Sequence, residues 1–237
     1  MISIIGLRKR FGSLDVLRGV DLEIQAGRVT GIVGPNAAGK TTLIKSILGL
    51  TRADSGVITV NGTRVDGDEM YRRNIGYMPQ IARFPANLTG AELISMLCAL
   101  RPGTPQIDDS LIESFGLSSE MDKKLNVLSG GTKQKINAVA AFLFRPALLI
   151  LDEPTAGLDP RSSGILKDRI LLERGLGRTF VITSHVMSEL EELADEIVFI
   201  SDGFVRFNGP IEQIMDITRQ TNLERAIAEL MERGLAA

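Results

Sequence analysis

Residues 34–42 read GPNAAGKTT, Gly34-Pro35-Asn36-Ala37-Ala38-Gly39-Lys40-Thr41-Thr42. They fit the phosphate-loop pattern G-x-x-x-x-G-K-[ST], with alanine at 37 where loops of this kind usually carry another glycine. Such a loop turns consecutive backbone N–H groups inward, which drives some of its residues to positive φ, the region glycine enters at little cost. Alanine there costs about 1–2 kcal/mol. That is small against a set of charge-assisted phosphate contacts, so Ala37 does not settle whether the loop works and its surroundings must. Before it, VTGIV (residues 29–33) reads as a short apolar strand; after it, residues 40–48 read as a helix. Strand, Gly-rich loop and helix in that order are the context the pattern requires.

Outward from the loop, residues 2–7 and 20–24 alternate like half-buried strands, residues 56–62 read as a strand with a turn, and residues 75–80 as another short strand. Between residues 83 and 140 the pattern becomes helical, and Thr89 with Glu92 three positions on forms a capping box. Three apolar runs follow at 147–151, 179–183 and 196–200, separated by helical segments long enough for crossovers, and residues 203–209 close the set. This pattern predicts an α/β fold: a phosphate-loop core of RecA-like type with a mostly parallel sheet, an inserted helical subdomain and an antiparallel N-terminal β region. The expected division is 1–82 and 141–210 for the nucleotide-binding core, 83–140 for the helical subdomain and 211–237 for a C-terminal helical tail. In that tail Leu223, Ala226, Ile227, Leu230 and Met231 share one helical face behind an Asn222 cap.

The chain has 237 residues, 44% hydrophobic and 24% charged, with a net charge of −2, which argues against a sequence-independent nucleic-acid binder. One cysteine, Cys98, excludes an internal disulfide and a Cys-based zinc site. No run reaches about 18 uninterrupted apolar residues, and the first residues lack the apolar stretch of a signal peptide, so the expected place is the cytoplasm.

Within the loop, Lys40 is placed to reach terminal phosphates, the amides near Gly39 open a helix that favours anions, and Thr41 offers a hydroxyl to Mg²⁺. A second element, LLILDEP, ends a buried strand on Asp152 and Glu153, at the edge where open parallel sheets place ligands. Adjacent carboxylates there suggest a division of labour, Asp152 toward Mg²⁺ and Glu153 toward an attacking water.

A third element is LSGGTKQK, residues 128–135, which leads into an alanine-rich helix. Here the chain resembles the ATP-binding cassette ATPases, whose signature is commonly LSGGQ. Phe11 and Gly12 ahead of the phosphate loop, Gln80 in MPQ, AGLD at 156–159 and His185 in TSH complete the motifs in the family's order. The resemblance covers roughly residues 1–210. It implies ATP and Mg²⁺ as ligands, Phe11 stacking on adenine, and Gln80 touching Mg²⁺ or the attacking water. It implies also that Ser129, Gly130 and Gly131 open a helix onto the γ-phosphate held by a second copy, with Asp159 at that seam. His185 would bond the γ-phosphate and orient Glu153. Thr132 departs from the usual glutamine, a change expected to tune affinity or rate.

Nothing in the chain sustains the long heptads of chromosome-clamp cassettes, and there is one cassette, not the two of translation factors. The remaining class is the ATPase subunit of a transporter, bound to an integral membrane permease as a separate chain and peripheral on the inner face of the membrane through it. The stretch around MPQIARFPANLTGAELI and FLFRPALLILDEPTAGLDP most resembles export-type (ABC-2) systems. More narrowly it resembles the cassette of nitrous-oxide reductase copper-site maturation; other exporters of drugs, lipids or polysaccharides, or a non-transport ATPase, are the alternatives.

Overall fold

The expected N-terminal strands fold as one long hairpin in the computed structural model, which describes residues 1–67, 69–103 and 107–234. Strand β1 is Ile2–Phe11 and β2 is Leu14–Ile24, paired antiparallel. Both reach further toward the turn than the alternation predicts. Beyond Leu7 the hairpin carries Arg8, Arg10, Asp15 and Arg18 on its solvent side, and register shifts between Ile4 and Arg10 break the period of two. Strand β3 (Val29–Val33) is buried throughout and runs into the phosphate loop, after which α1 spans Lys40–Ile47. Strands β4 (Ser55–Val60) and β5 (Thr63–Arg64) join through Asn61 and Gly62, both at positive φ.

Strand β6 (Ile75–Met78) precedes the helical stretch of α2 (Gly90–Ala99), α3 (Ser110–Ser114) and α4 (Gly130–Phe142). The capping box at α2 forms as expected: the Glu92 N–H donates to the Thr89 hydroxyl at 3.1 Å, and the Thr89 N–H to the Glu92 carboxylate at 2.8 Å. The chain continues through β7 (Leu148–Asp152), α5 (Pro160–Gly175), β8 (Thr179–Thr183), α6 (Met187–Leu193), β9 (Glu196–Ser201), β10 (Phe204–Pro210), α7 (Ile211–Thr218) and α8 (Leu223–Gly234).

Among the described residues the strands form two sheets. The first, in order β2-β1-β4-β5, is antiparallel; the second, β10-β9-β3-β8-β7-β6, is parallel except at its β10 edge. One face of the larger sheet, through Ile32, Ile150, Val181 and Val198, packs with α1 against the smaller sheet. The other, through Val33, Leu149, Phe180 and Phe199, meets α4, α5, α6 and the tail helices. Burial on both faces is why these strands read as continuous apolar runs. Phe142 and Phe180 pack across the helix–sheet interface with ring centroids 6.2 Å apart and the rings tilted by 39°, and Phe142→Ala there costs about 3–5 kcal/mol.

Helix α4 lies close on β6: a Cβ at Gly76 would stand 2.2 Å from the Ala141 carbonyl oxygen. The sequence-derived division at residue 140 therefore falls inside a helix seated on the sheet. The tail helix starts as expected, with the Arg225 N–H donating to the Asn222 side chain at 2.9 Å, and it buries Leu223, Ala226 and Ile227 in the core. Residues 235–237 of the expected tail lie outside the described residues.

Candidate nucleotide site

Strand order places the site. The chain runs β6, β7, β8 on one side of β3 and then crosses to put β9 on the other, so a crevice opens at the carboxyl end of β3 between neighbours reached in opposite directions. A cavity of about 320 Å³ sits there, floored by residues 36–42 and walled by Gln80, Asp152, Glu153 and His185. Segments far apart in sequence converge on it because β3, β8 and β7 are adjacent and end at one edge.

In the loop, Ala37 has φ 64°, the left-handed value expected for the position that usually carries glycine. Gly39 precedes α1 at φ 107°, and the first N–H groups of α1 have no intrahelical acceptor. The Lys40 ammonium donates to the carbonyls of Gly34 at 2.6 Å and Pro35 at 3.0 Å. Burial lowers its pKa below the usual lysine value, against the opposing pull of Glu153 and Asp152.

On the opposite wall Asp152 is buried and accepts a hydrogen bond from the Thr183 hydroxyl at 2.5 Å. Glu153 stands at φ 52°, off the strand, with its N–H donating to both oxygens of Thr183 at 3.1 Å. That turn swings its side chain toward His185, whose Nε2 lies 3.2 Å from Glu153 Oε1 and whose backbone N–H donates to Oε2 at 3.3 Å.

The oxygens of Thr41, Gln80 and Asp152 share the cavity with Lys40, a donor set of hard oxygens facing a fixed cation. This suits a polyphosphate with a hard divalent cation, to which the metal would supply neutralisation of phosphate charge.

Not every expected residue lies here. Phe11 is half exposed near the turn of the β1–β2 hairpin, with the Lys9 ammonium 5.1 Å from its ring centroid, and does not line the cavity; Leu14 and Val16 of β2 do. Ser129, Gly130 and Gly131 do not line it either. Ser129 caps α4, accepting from the Thr132 N–H at 3.1 Å, and its hydroxyl meets the Thr132 hydroxyl at 2.8 Å, so the substituted signature position is tied to the cap. Asp159 caps α5 through the Ser162 hydroxyl (2.7 Å) and N–H (2.9 Å) and pairs with Lys135 at 3.0 Å. Those contacts hold its carboxyl well below the usual range.

Sequence reasoning missed Thr183, Leu14 and Val16. Thr183 ends the 179–183 run, two positions before His185, and its role follows only from the β7–β8 pairing that sets it beside Asp152.

Comparison with known proteins agrees with this geometry. The family model for ABC transporter matches residues 17–156. The chain is similar to the uncharacterised ABC transporter ATP-binding protein YdbJ of Bacillus subtilis, 33% identical over the whole chain and 76% of that protein. It is 35% identical to the Nod factor export ATP-binding protein I of Burkholderia lata over 83% of the chain, spanning 66% of that relative's length. A solved ATP-binding subunit of an ABC transporter superposes with a TM-score of 0.91, 29% identical, over 98% of this chain and 99% of that one. The chain thus belongs to the ABC transporter family, as an ATP-binding, ATP-hydrolysing cassette.

Proposed function

We propose that this cassette powers a separate permease of export type, closing head to tail with a second copy around two ATP molecules and reopening on hydrolysis. The observation that carries the reading is the division of parts: the cavity gathers Lys40, Asp152, Glu153, His185 and Gln80, yet Ser129, Gly130 and Gly131 at the start of α4 are outside it. A helix N-terminus with exposed Ser129 and Gly130 presents amides suited to an anion, and a neighbour's γ-phosphate supplies one.

In this reading the backbone N–H groups of residues 36–42, which line the cavity, and the Lys40 ammonium hold the phosphates, and Val16 and Leu14, with Phe11 near the same hairpin's turn, offer apolar surface to adenine. Thr41, Gln80 and Asp152 would hold Mg²⁺. Glu153 takes the proton from the attacking water, and His185 fixes both oxygens of that carboxylate. The helical subdomain, 83–140, responds to gain and loss of the phosphate through Gln80, and Ser129 is the part of it that faces the neighbouring copy. Asp159 lies at the seam between the copies.

The permease contact is assigned to a second cavity of about 490 Å³ between β6, α2 and α4, lined by Tyr77, Phe84, Leu97, Leu100 and Phe144. Among the described residues no helix is long and apolar enough to cross a membrane. Export is favoured by the likeness to the Nod factor export protein. The narrower reading, copper-site maturation of nitrous-oxide reductase, rests on the wording of the non-catalytic stretches alone. No cluster of three or more His, Cys, Asp or Glu among the described residues could hold a metal, so in that case the partner chain binds the copper.

The test is oligomeric state. Glu153→Gln protein should sediment as a dimer with Mg·ATP and as a monomer without it, and adding Ser129→Arg should abolish the dimer. An oligomer indifferent to ATP, measured also with the permease present, overturns the reading.

A further inference from the structure

Two buried amides on α4 are absorbed by none of the roles above. Gln134 and Asn137 stand three residues apart, on one helix face, 6% and 2% exposed. The Asn137 amide donates to the carbonyl of Pro79 at 2.8 Å and to the Gln134 side-chain oxygen at 3.2 Å. The Gln134 amide in turn donates to the carbonyl of Pro154 at 3.3 Å and approaches that of Glu153 at 3.5 Å.

The acceptors share a position in the fold. Strands β6 and β7 are parallel neighbours whose pairing ends at Met78 and Leu151. Just past that point the two chains leave the sheet, one to carry Gln80 and the other Glu153, and their carbonyls lose ladder partners. A buried carbonyl left unpaired is costly, and here the two side chains satisfy both exits. They form one line from Pro79 through Asn137 and Gln134 to Pro154, on the helix that Ser129 opens. The Gly76 contact beneath Ala141 fixes how closely that helix can approach.

We propose that Gln134 and Asn137 are positioning residues, a two-amide relay that sets Gln80 and Glu153 relative to each other and couples both to the signature end of α4. The proposal rests on the roles given above to Gln80 and Glu153. Buried amide lines of this kind act as units, so removing one member strands the others.

The experiment is a double-mutant cycle on ATP hydrolysis with Gln134→Met and Asn137→Leu, each close in volume to the amide it replaces. Each single variant should lower kcat about tenfold with the ATP KM within about twofold, and the pair should cost no more than the worse single, because one broken link interrupts the whole line. Multiplicative losses, an unchanged kcat, or a KM that rises in step with the loss overturn the relay. Glu153→Gln in the same assay separates the premises: if it hydrolyses ATP normally, the assigned chemistry fails; if it is inactive while both amide variants are normal, the relay alone fails. Should the variants not fold, hydrogen exchange of the wild-type protein decides. Mg·ATP should protect residues 79–84, residues 153–156 and the first turn of α4 together, and protection confined to residues 34–42 overturns the proposal.

Discussion

Both carboxylate oxygens of Glu153 are held by one residue, His185: the imidazole Nε2 lies 3.2 Å from Oε1 and the backbone N–H donates to Oε2 at 3.3 Å. A base held this way has one orientation toward the cavity. Glu153→Gln keeps the shape and one acceptor oxygen but removes the charge that draws a proton from water. ATP binding should survive while single-turnover hydrolysis falls by roughly 10²–10⁴, the usual worth of a general base. Undiminished hydrolysis would remove Glu153 from the chemistry.

Ala37 holds φ 64° in the phosphate loop. Ala37→Gly relieves that strain without altering Lys40, Gly39 or Thr41, so Mg·ATP should bind equally or more tightly, by at most about 1–2 kcal/mol. Isothermal titration of both proteins reads the difference. A wild-type loop that binds nothing, restored by glycine, would mark the loop as disabled.

Thr183 bonds Asp152 and both of its oxygens receive the Glu153 N–H. Thr183→Val keeps the branched shape and strips the hydroxyl, leaving a buried carboxylate oxygen short of a donor. The expected loss is about 1–3 kcal/mol in urea unfolding, together with a lower kcat because the carboxylates share that support. Unchanged stability would mean that water replaces the hydroxyl.

Asp108 ties the segment before α3 to α5. Burial pushes its pKa up, but hydrogen bonds from Ser110 and the Arg169 guanidinium overturn that and hold it at about 2, with Arg145 at 3.3 Å and Glu173 sharing Arg169. A depressed carboxyl stabilises the fold above its unfolded pKa of about 3.9 and loses that contribution as pH falls through the folded value. Asp108→Asn should therefore be less stable than wild type at pH 6, with the gap closing between about pH 4 and pH 2. A gap independent of pH would sink the assignment.

Phe84 packs partly on the core and lines the 490 Å³ groove. Phe84→Asp should reduce co-purification with the membrane partner from the native host while ATP titration is unchanged. Joint loss of both identifies Phe84 as a core residue only.

How much was legible in the sequence can be followed residue by residue. GPNAAGKTT between a strand and a helix, LLILDEP and the capping box Thr89–Glu92 were local signals, since each depends on backbone geometry and neighbours within a few positions. The buried parallel strands were equally plain, because burial on both faces keeps the runs mostly apolar, with the polar exceptions Thr30, Asp152, Thr179, Thr183 and Glu196 too few to obscure them. The hairpin extension through Phe11 and Leu14 was not, since charged residues and bulges hide the alternation. Thr183, Gln134 and Asn137 looked like ordinary strand and helix residues. Only the pairing of β7 with β8 and the seating of α4 on β6 gave their side chains partners, because a side-chain hydrogen bond between residues 31 or 58 positions apart exists only once the sheet order brings the two segments side by side. The sequence by itself determined the motifs and the elements that carry them. The tertiary structure alone decided which of those motifs share one cavity and which, like Ser129 on α4, stand apart from it.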